Sequence, residues 1–160
     1  MSKKAGITPL FTKSDLNKWF KIFENDVHAK TYTLLQAAGE MFVKYARESG
    51  EYFDHTGNLR SSIGYVILEN GSIESDNFKI VHAGTDGKEG VEKAKKLARQ
   101  LANTYNPGMV LIGVAGMEYA VYVEAMESKD VITAANIKTE EWMRKSIKAV
   151  FEKAGIYGRI

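Results

Sequence analysis

The chain has 160 residues, 44% hydrophobic and 11% aromatic, with 22 Lys and Arg against 20 Asp and Glu and a formal net charge of +2. That length fits one domain with an ordinary core, the hydrophobic content excludes intrinsic disorder, and the balanced charge leaves no electrostatic footprint for nucleic acid. Cysteine is absent, which excludes disulfides and thiolate metal sites.

Residues 1–11 read as a flexible arm. Lys3 and Lys4 have no apolar segment behind them, so secretion through a signal peptide is not expected. Thr12 followed by Asp15 is a capping-box-like helix start, with Ser14 as a competing cap. From there Leu16, Trp19, Phe20, Phe23, Val27, Leu34, Ala38, Met41, Phe42 and Tyr45 recur at threes and fours, which is helical spacing. The pattern thins at Ala29-Lys30-Thr31, where a bend is expected, and Ser49-Gly50 ends the helix. An unbroken helix over 14–48 would be roughly 50 Å long at 1.5 Å per residue. That is more than a small domain covers by itself, so part of the stripe is expected to face another subunit, with Trp19, Phe20 and Phe23 as interface candidates.

A linker with Tyr52 and Phe53 leads to Thr56-Gly57-Asn58-Leu59-Arg60-Ser61-Ser62-Ile63. This stretch reads as a short turn of helix joining a helical half to a strand half. Thr56 can cap, Gly57 relaxes the entry, and Leu59 and Ile63 share a face while Arg60 points elsewhere. Gly64–Glu69 is rich in strand formers, and Asn70-Gly71 is a two-residue hairpin signal. Asp76-Asn77 could instead close a longer loop, and Phe78–His82 alternates as a second strand. Gly84–Gly87 is a turn. Lys88 to about Asn103 forms an amphipathic helix with Val91, Ala94, Leu97, Ala98 and Leu101 on one face, broken by Asn106-Pro107-Gly108. Met109–Val114 is a third strand, too short an apolar run to span a bilayer. Glu118–Glu124 is ambiguous between strand and helix, Asp130–Ala134 is a candidate fourth strand, and Asn136 or Thr139 caps a last helix ended by Gly155. The order predicts an α+β fold. It has a long N-terminal helix, an antiparallel β-meander of three to four strands, an inserted helix and a C-terminal helix, with residues 12–155 as one domain and 156–160 as a tail.

Catalytic chemistry is not indicated. His28, His55 and His82 fall in three different elements without metal-ligand spacing, so neither a metal nor a cofactor is expected. Gly84-Thr85-Asp86-Gly87-Lys88-Glu89 fails the phosphate-loop spacing and places Glu89 where a hydroxyl would bind magnesium. Two other classes remain as alternatives. A nucleic-acid-binding or regulatory protein would use the basic residues of helix 88–100, namely Lys88, Lys93, Lys95, Lys96 and Arg99, although no aromatics interleave for base stacking. A small hydrolase would use Asp54, His55 and Glu124, although no serine sits in a nucleophile-elbow context.

Two stretches resemble a known family. Thr56–Ile63 resembles the T-G-x-L-R-x-S-I signature of the tail-completion, or head–tail joining, proteins of tailed bacteriophages, through Thr56, Gly57, Leu59, Arg60, Ser62 and Ile63. Val110–Val114 followed by Glu118–Glu124 resembles that family's v-x-v-G…Y-A-x-y-v-E segment, through Tyr119, Ala120, Val123 and Glu124. The chain departs from the family at Ala125-Met126-Glu127, where an aromatic-Gly-Thr is usual, and at Asp130–Ala135, where a Pro-Phe-Leu entry to the last helix is usual. The resemblance implies a non-enzymatic virion component, present in the bacterial cytoplasm during assembly. It would act as a ring-forming homo-oligomer, commonly a hexamer, against connector and tail proteins, with no membrane and no specific nucleic acid. Arg60 and Glu124, the charged members of the two motifs, are expected to approach each other and lock the hub onto the sheet.

Overall fold

A computed structural model describes residues 9–48, 57–81, 86–117 and 132–153. Helix α1 spans Lys13–Glu48 and helix α2 spans Asn58–Ser61. Strands β1 (Ile63–Glu69) and β2 (Ser72–Asn77) follow, then helix α3 (Gly87–Ala102), strand β3 (Met109–Ala115) and helix α4 (Thr133–Lys153). The α+β architecture is the one the sequence pattern predicts.

The sheet is antiparallel in the order β2-β1-β3, so β1 is central and α3 carries the chain across to the other side of β1. A plain sequential meander would have placed β2 in the middle. β1 is buried at every position but its last because both faces of the sheet are covered. Ile63, Tyr65 and Ile67 face one core with Leu35, Phe42, Val43 and Ala46 of α1, with Ala135 and Met143 of α4 packed against it. Val66 and Leu68 face a second core with Ala94, Ala98 and Ala102 of α3 and Ile112 and Val114 of β3. The expected inward face of α3 is thereby refined. Its centre is a row of small residues, Gly87, Gly90, Ala94, Ala98 and Ala102, while Leu97 and Leu101 flank it. Small residues let the helix backbone come close to the sheet.

The Asn70-Gly71 turn has positive φ at both residues, 50° and 84°. That is the geometry of a type I′ hairpin, and it sets Glu69 opposite Ser72. The second strand is therefore Ser72–Asn77, and the described part of the expected strand Phe78–His82, residues 78–81, lies outside the ladder. Phe78 has left the ladder and packs into the second core under Lys95, whose Nζ lies 5.9 Å from the ring centroid. At 29–31, where the apolar pattern thins, α1 continues as helix without a break. The last helix begins at Thr133, before either expected cap. The Asn136 N–H already donates to the Ile132 carbonyl at 2.8 Å, so the predicted strand at 130–134 is helical at 133 and 134. Residues 130 and 131 lie outside the described residues.

The capping box forms as expected. The Thr12 N–H and hydroxyl donate to Asp15 Oδ2 at 2.9 and 2.7 Å, and the Asp15 N–H donates back to Thr12 Oγ1 at 3.2 Å. The Thr12 hydroxyl, then its N–H, hold the Asp15 carboxyl below its ordinary value.

Tyr65 gives the core a pH signature. Burial, then the hydrogen bond its hydroxyl donates to Glu40 Oε1 at 3.0 Å, push it up to about 12 from an ordinary 10.0. The folded state keeps this proton where the unfolded chain has lost it. Stability is thus unaffected by Tyr65 below the unfolded value and falls as pH rises from there through the folded value. Alkaline unfolding monitored by circular dichroism should show this slope, and Tyr65→Phe should flatten it. An unchanged slope in the variant would place the titration elsewhere.

Candidate functional site

Two features stand out from the fold, the joint at Thr56–Ile63 and the first half of α1. At the joint, Gly57 enters α2 with φ 74°, in the left-handed region that glycine tolerates best. Its freedom lets the chain turn directly into Asn58. Leu59 and Ile63 are buried in the first core, as their spacing predicts. Ser61 and Ser62 are 0% exposed, and each has structural work. Ser61 Oγ accepts the Val81 N–H at 2.9 Å, and the Ser62 hydroxyl donates to the Leu59 carbonyl at 2.7 Å. The Ser62 carbonyl also accepts the Gly116 N–H at 3.0 Å, which ties the joint to the end of β3.

Sequence reasoning passed over two residues that fasten this joint. Asn58, at the variable position of the motif, is buried, and its Oδ1 accepts the Gly90 N–H of α3 at 3.2 Å. Arg47, in the last turn of α1, reaches across with its guanidinium. Its Nε donates to the Arg60 carbonyl at 3.1 Å, and its Nη2 donates to the carbonyls of Ile63 at 2.7 Å and Lys79 at 3.2 Å. A basic residue in the final turn of a helix is an ordinary signal, so nothing in the sequence marked Arg47 for carbonyls outside its own helix. The joint is a buried fastening of four segments. Its hydroxyls and amide are spent on backbone groups.

Arg60 is half-buried. Thr56, Tyr119, Ala120, Val123 and Glu124 lie outside the described residues, and with them the Arg60–Glu124 contact. Asp54, His55 and His82 lie outside as well. His28 pairs with Glu69 at 2.7 Å on the surface. Among the described residues, no group of three or more His, Asp or Glu could hold a metal ion. On α3, Lys93 pairs with Glu89 at 2.9 Å and Lys95 with Asp76 at 3.4 Å, so two of the helix's basic residues are engaged with acids of the fold. No helix of the described residues is long and apolar enough to cross a membrane.

The first half of α1 is different. From residue 11 to residue 26 every side chain except Asp15 is exposed. Trp19 is 68% exposed, Phe20 67%, Ile22 60%, Phe11 55%, Phe23 50% and Leu16 38%. Farther along, the apolar stripe turns inward, with Leu34, Leu35, Ala38, Phe42 and Val43 buried. The 36-residue helix spans about 54 Å, and its second half suffices to cover the sheet. The first half is a helical spur whose large apolar groups meet no core. Scattered exposed apolar residues are ordinary, but a run of aromatics along one helical stripe is a mark of an interaction surface. The three interface candidates read from the sequence, Trp19, Phe20 and Phe23, all sit on it. Comparison with models of known protein families, with curated proteins and with solved structures gives no match.

Proposed function

We propose that this protein is a non-enzymatic structural component of a tailed-bacteriophage or prophage particle, acting at the head–tail junction or tail end. The observation that carries the reading is the spur. A stable two-core body presents a helix bearing Trp19, Phe20 and Phe23 to its surroundings, which suits a subunit that completes its fold on a neighbour. The joint supports it from the other side, because Gly57, Leu59, Ser62 and Ile63 of the tail-completion-like signature serve the turn, packing and backbone hydrogen bonding. In this role the protein joins a ring of its own copies against connector and tail proteins. Ring closure needs one surface to meet a different one on the next copy, and the spur supplies one such surface.

Particles made without this protein provide the test. Electron microscopy should show full heads and tails that are unjoined or tails with unfinished ends, together with loss of infectivity. Joined, infectious particles would overturn the role.

A further inference from the structure

The geometry points to a second copy of this chain as the occupant of the spur before any particle partner is present: two spurs pair antiparallel, apolar stripe against apolar stripe. This pairing rests on the reading of the spur as an assembly surface and names its partner in solution.

Three observations carry it. The first is continuity with a helix–helix contact already in the fold. Farther along α1, Lys30, Thr33, Leu34 and Ala37 form one wall of an open groove whose other wall is Val150 of α4. A second helix thus lies along α1 where α4 reaches it. Over residues 16–27 the stripe continues through Leu16, Phe20, Phe23 and Val27, and no described helix covers it. A helix is the shape that fits a linear stripe on a helix.

The second is area. A fully exposed aromatic side chain presents about 150–250 Å², so the half to two-thirds exposed Trp19, Phe20 and Phe23, with Leu16 on the same stripe, offer roughly 400 Å² of apolar surface. Two copies then bury about 800 Å² of apolar surface and, with the polar flanks that make up about a third of such an interface, roughly 1,200 Å² in all, the lower bound for a specific interface. One spur is therefore enough for another spur.

The third is charge. Lys13, Lys18 and Lys21 lie toward the start of the spur, and Glu24 and Asp26 toward its end. Lys18 and Lys21 face away from the stripe, and parallel pairing would bring the two Lys13 side chains beside it together. Antiparallel pairing brings the Lys13 end of one copy to the Glu24–Asp26 end of the other. Lys13 and Glu24 are three helical turns apart and so lie on the same flank of the stripe, where antiparallel partners meet.

Sedimentation of the full chain across the micromolar range, with cysteine cross-linking, tests the pairing, and the absence of native cysteine makes each introduced thiol unambiguous. The expected mass is that of two chains. Trp19→Ala should weaken the association about thirtyfold, as loss of an aromatic anchor does. Trp19→Glu with Phe20→Glu should give one chain's mass. Both positions are exposed, so an unchanged circular dichroism spectrum verifies that the fold is intact. Mixed Lys13→Cys and Glu24→Cys chains should form an interchain disulfide that neither forms alone. A single chain's mass at every concentration overturns the pairing, as does cross-linking of each cysteine variant with itself, which would mean parallel spurs. A monomer that particles still require would remove the pairing and leave the assembly role. A dimer that particles do without would remove the role and leave the pairing.

Discussion

Arg47→Met is expected to lower stability by about 3 kcal/mol, the largest loss for any single polar side chain of the joint. Hydrogen bonds from a charged donor contribute about 1.5–3 kcal/mol each, and the half-buried site places these at the lower end of that range. Among the described residues Arg47 donates to three carbonyls, those of Arg60, Ile63 and Lys79. Water can reach the Lys79 carbonyl, which lies at an exposed position, but Ile63 is 0% exposed. Its carbonyl is the one left most nearly unpaired. Methionine keeps most of the stem volume, so the difference reports the guanidinium and little packing. In a protein of this size, thermal unfolding should move down by roughly 6–12 °C. Arg47→Lys should recover less than half, because an ammonium is a point donor and cannot hold a fork of carbonyls. A variant within 1 kcal/mol of the parent in urea unfolding would mean that the fastening carries no net stability.

The position of Arg47 explains why its loss would be felt so widely. One side chain ties the end of α1 to the joint, to the first residue of β1 and to the segment after β2. Ser61 holds that last segment again through the Val81 N–H, and Asn58 holds α3. The spur lies at the opposite end of α1. Loosening the joint should therefore destabilise the body without altering what the spur can bind.

The long elements were legible in the sequence for a physical reason. A period of three to four with strong caps states a helix locally, and the Thr12–Asp15 box and the α1 stripe both did so. The central strand was legible because burial on both faces leaves a continuous run of strand formers. The edge strand was not. Ser72–Asn77 is polar and largely exposed, so only the Asn70-Gly71 turn could announce it, while Phe78–His82 imitated a strand by alternation alone. Ile80 is 44% exposed, and Phe78 owes its burial to α3. The site divided in the same way. Spur residues could be named from the excess length of a helix over its body. The fastening of the joint could not, because Arg47 meets the Arg60 carbonyl and Asn58 meets the Gly90 N–H only through tertiary structure, at separations of 13 and 32 residues.

Gly90→Ala is the sharper test of that tertiary geometry, because local and global effects have opposite signs. In an isolated helix the change would stabilise by about 1 kcal/mol, since alanine is the better helix former. Here a methyl group at residue 90 would meet the backbone carbonyl of Asn58 and lie 3.1 Å from the Ser62 nitrogen. Neither can yield easily, because α2 is fixed by Gly57 at its start and by the Ser62 bonds at its end. Relief requires α3 to move outward. That motion stretches the Gly90 N–H bond to Asn58 and loosens Ala94, Ala98 and Ala102 against the sheet. Overpacking costs about 1–3 kcal/mol and the hydrogen bond about 1, so after the helix gain of about 1 the net effect is a loss of about 1–3 kcal/mol. Thermal unfolding should fall by roughly 2–12 °C. Gln100→Ala, at an exposed position of the same helix, should change little and serves as the control. A Gly90→Ala protein more stable than its parent would show that propensity prevails, and that α3 does not approach the joint this closely in solution.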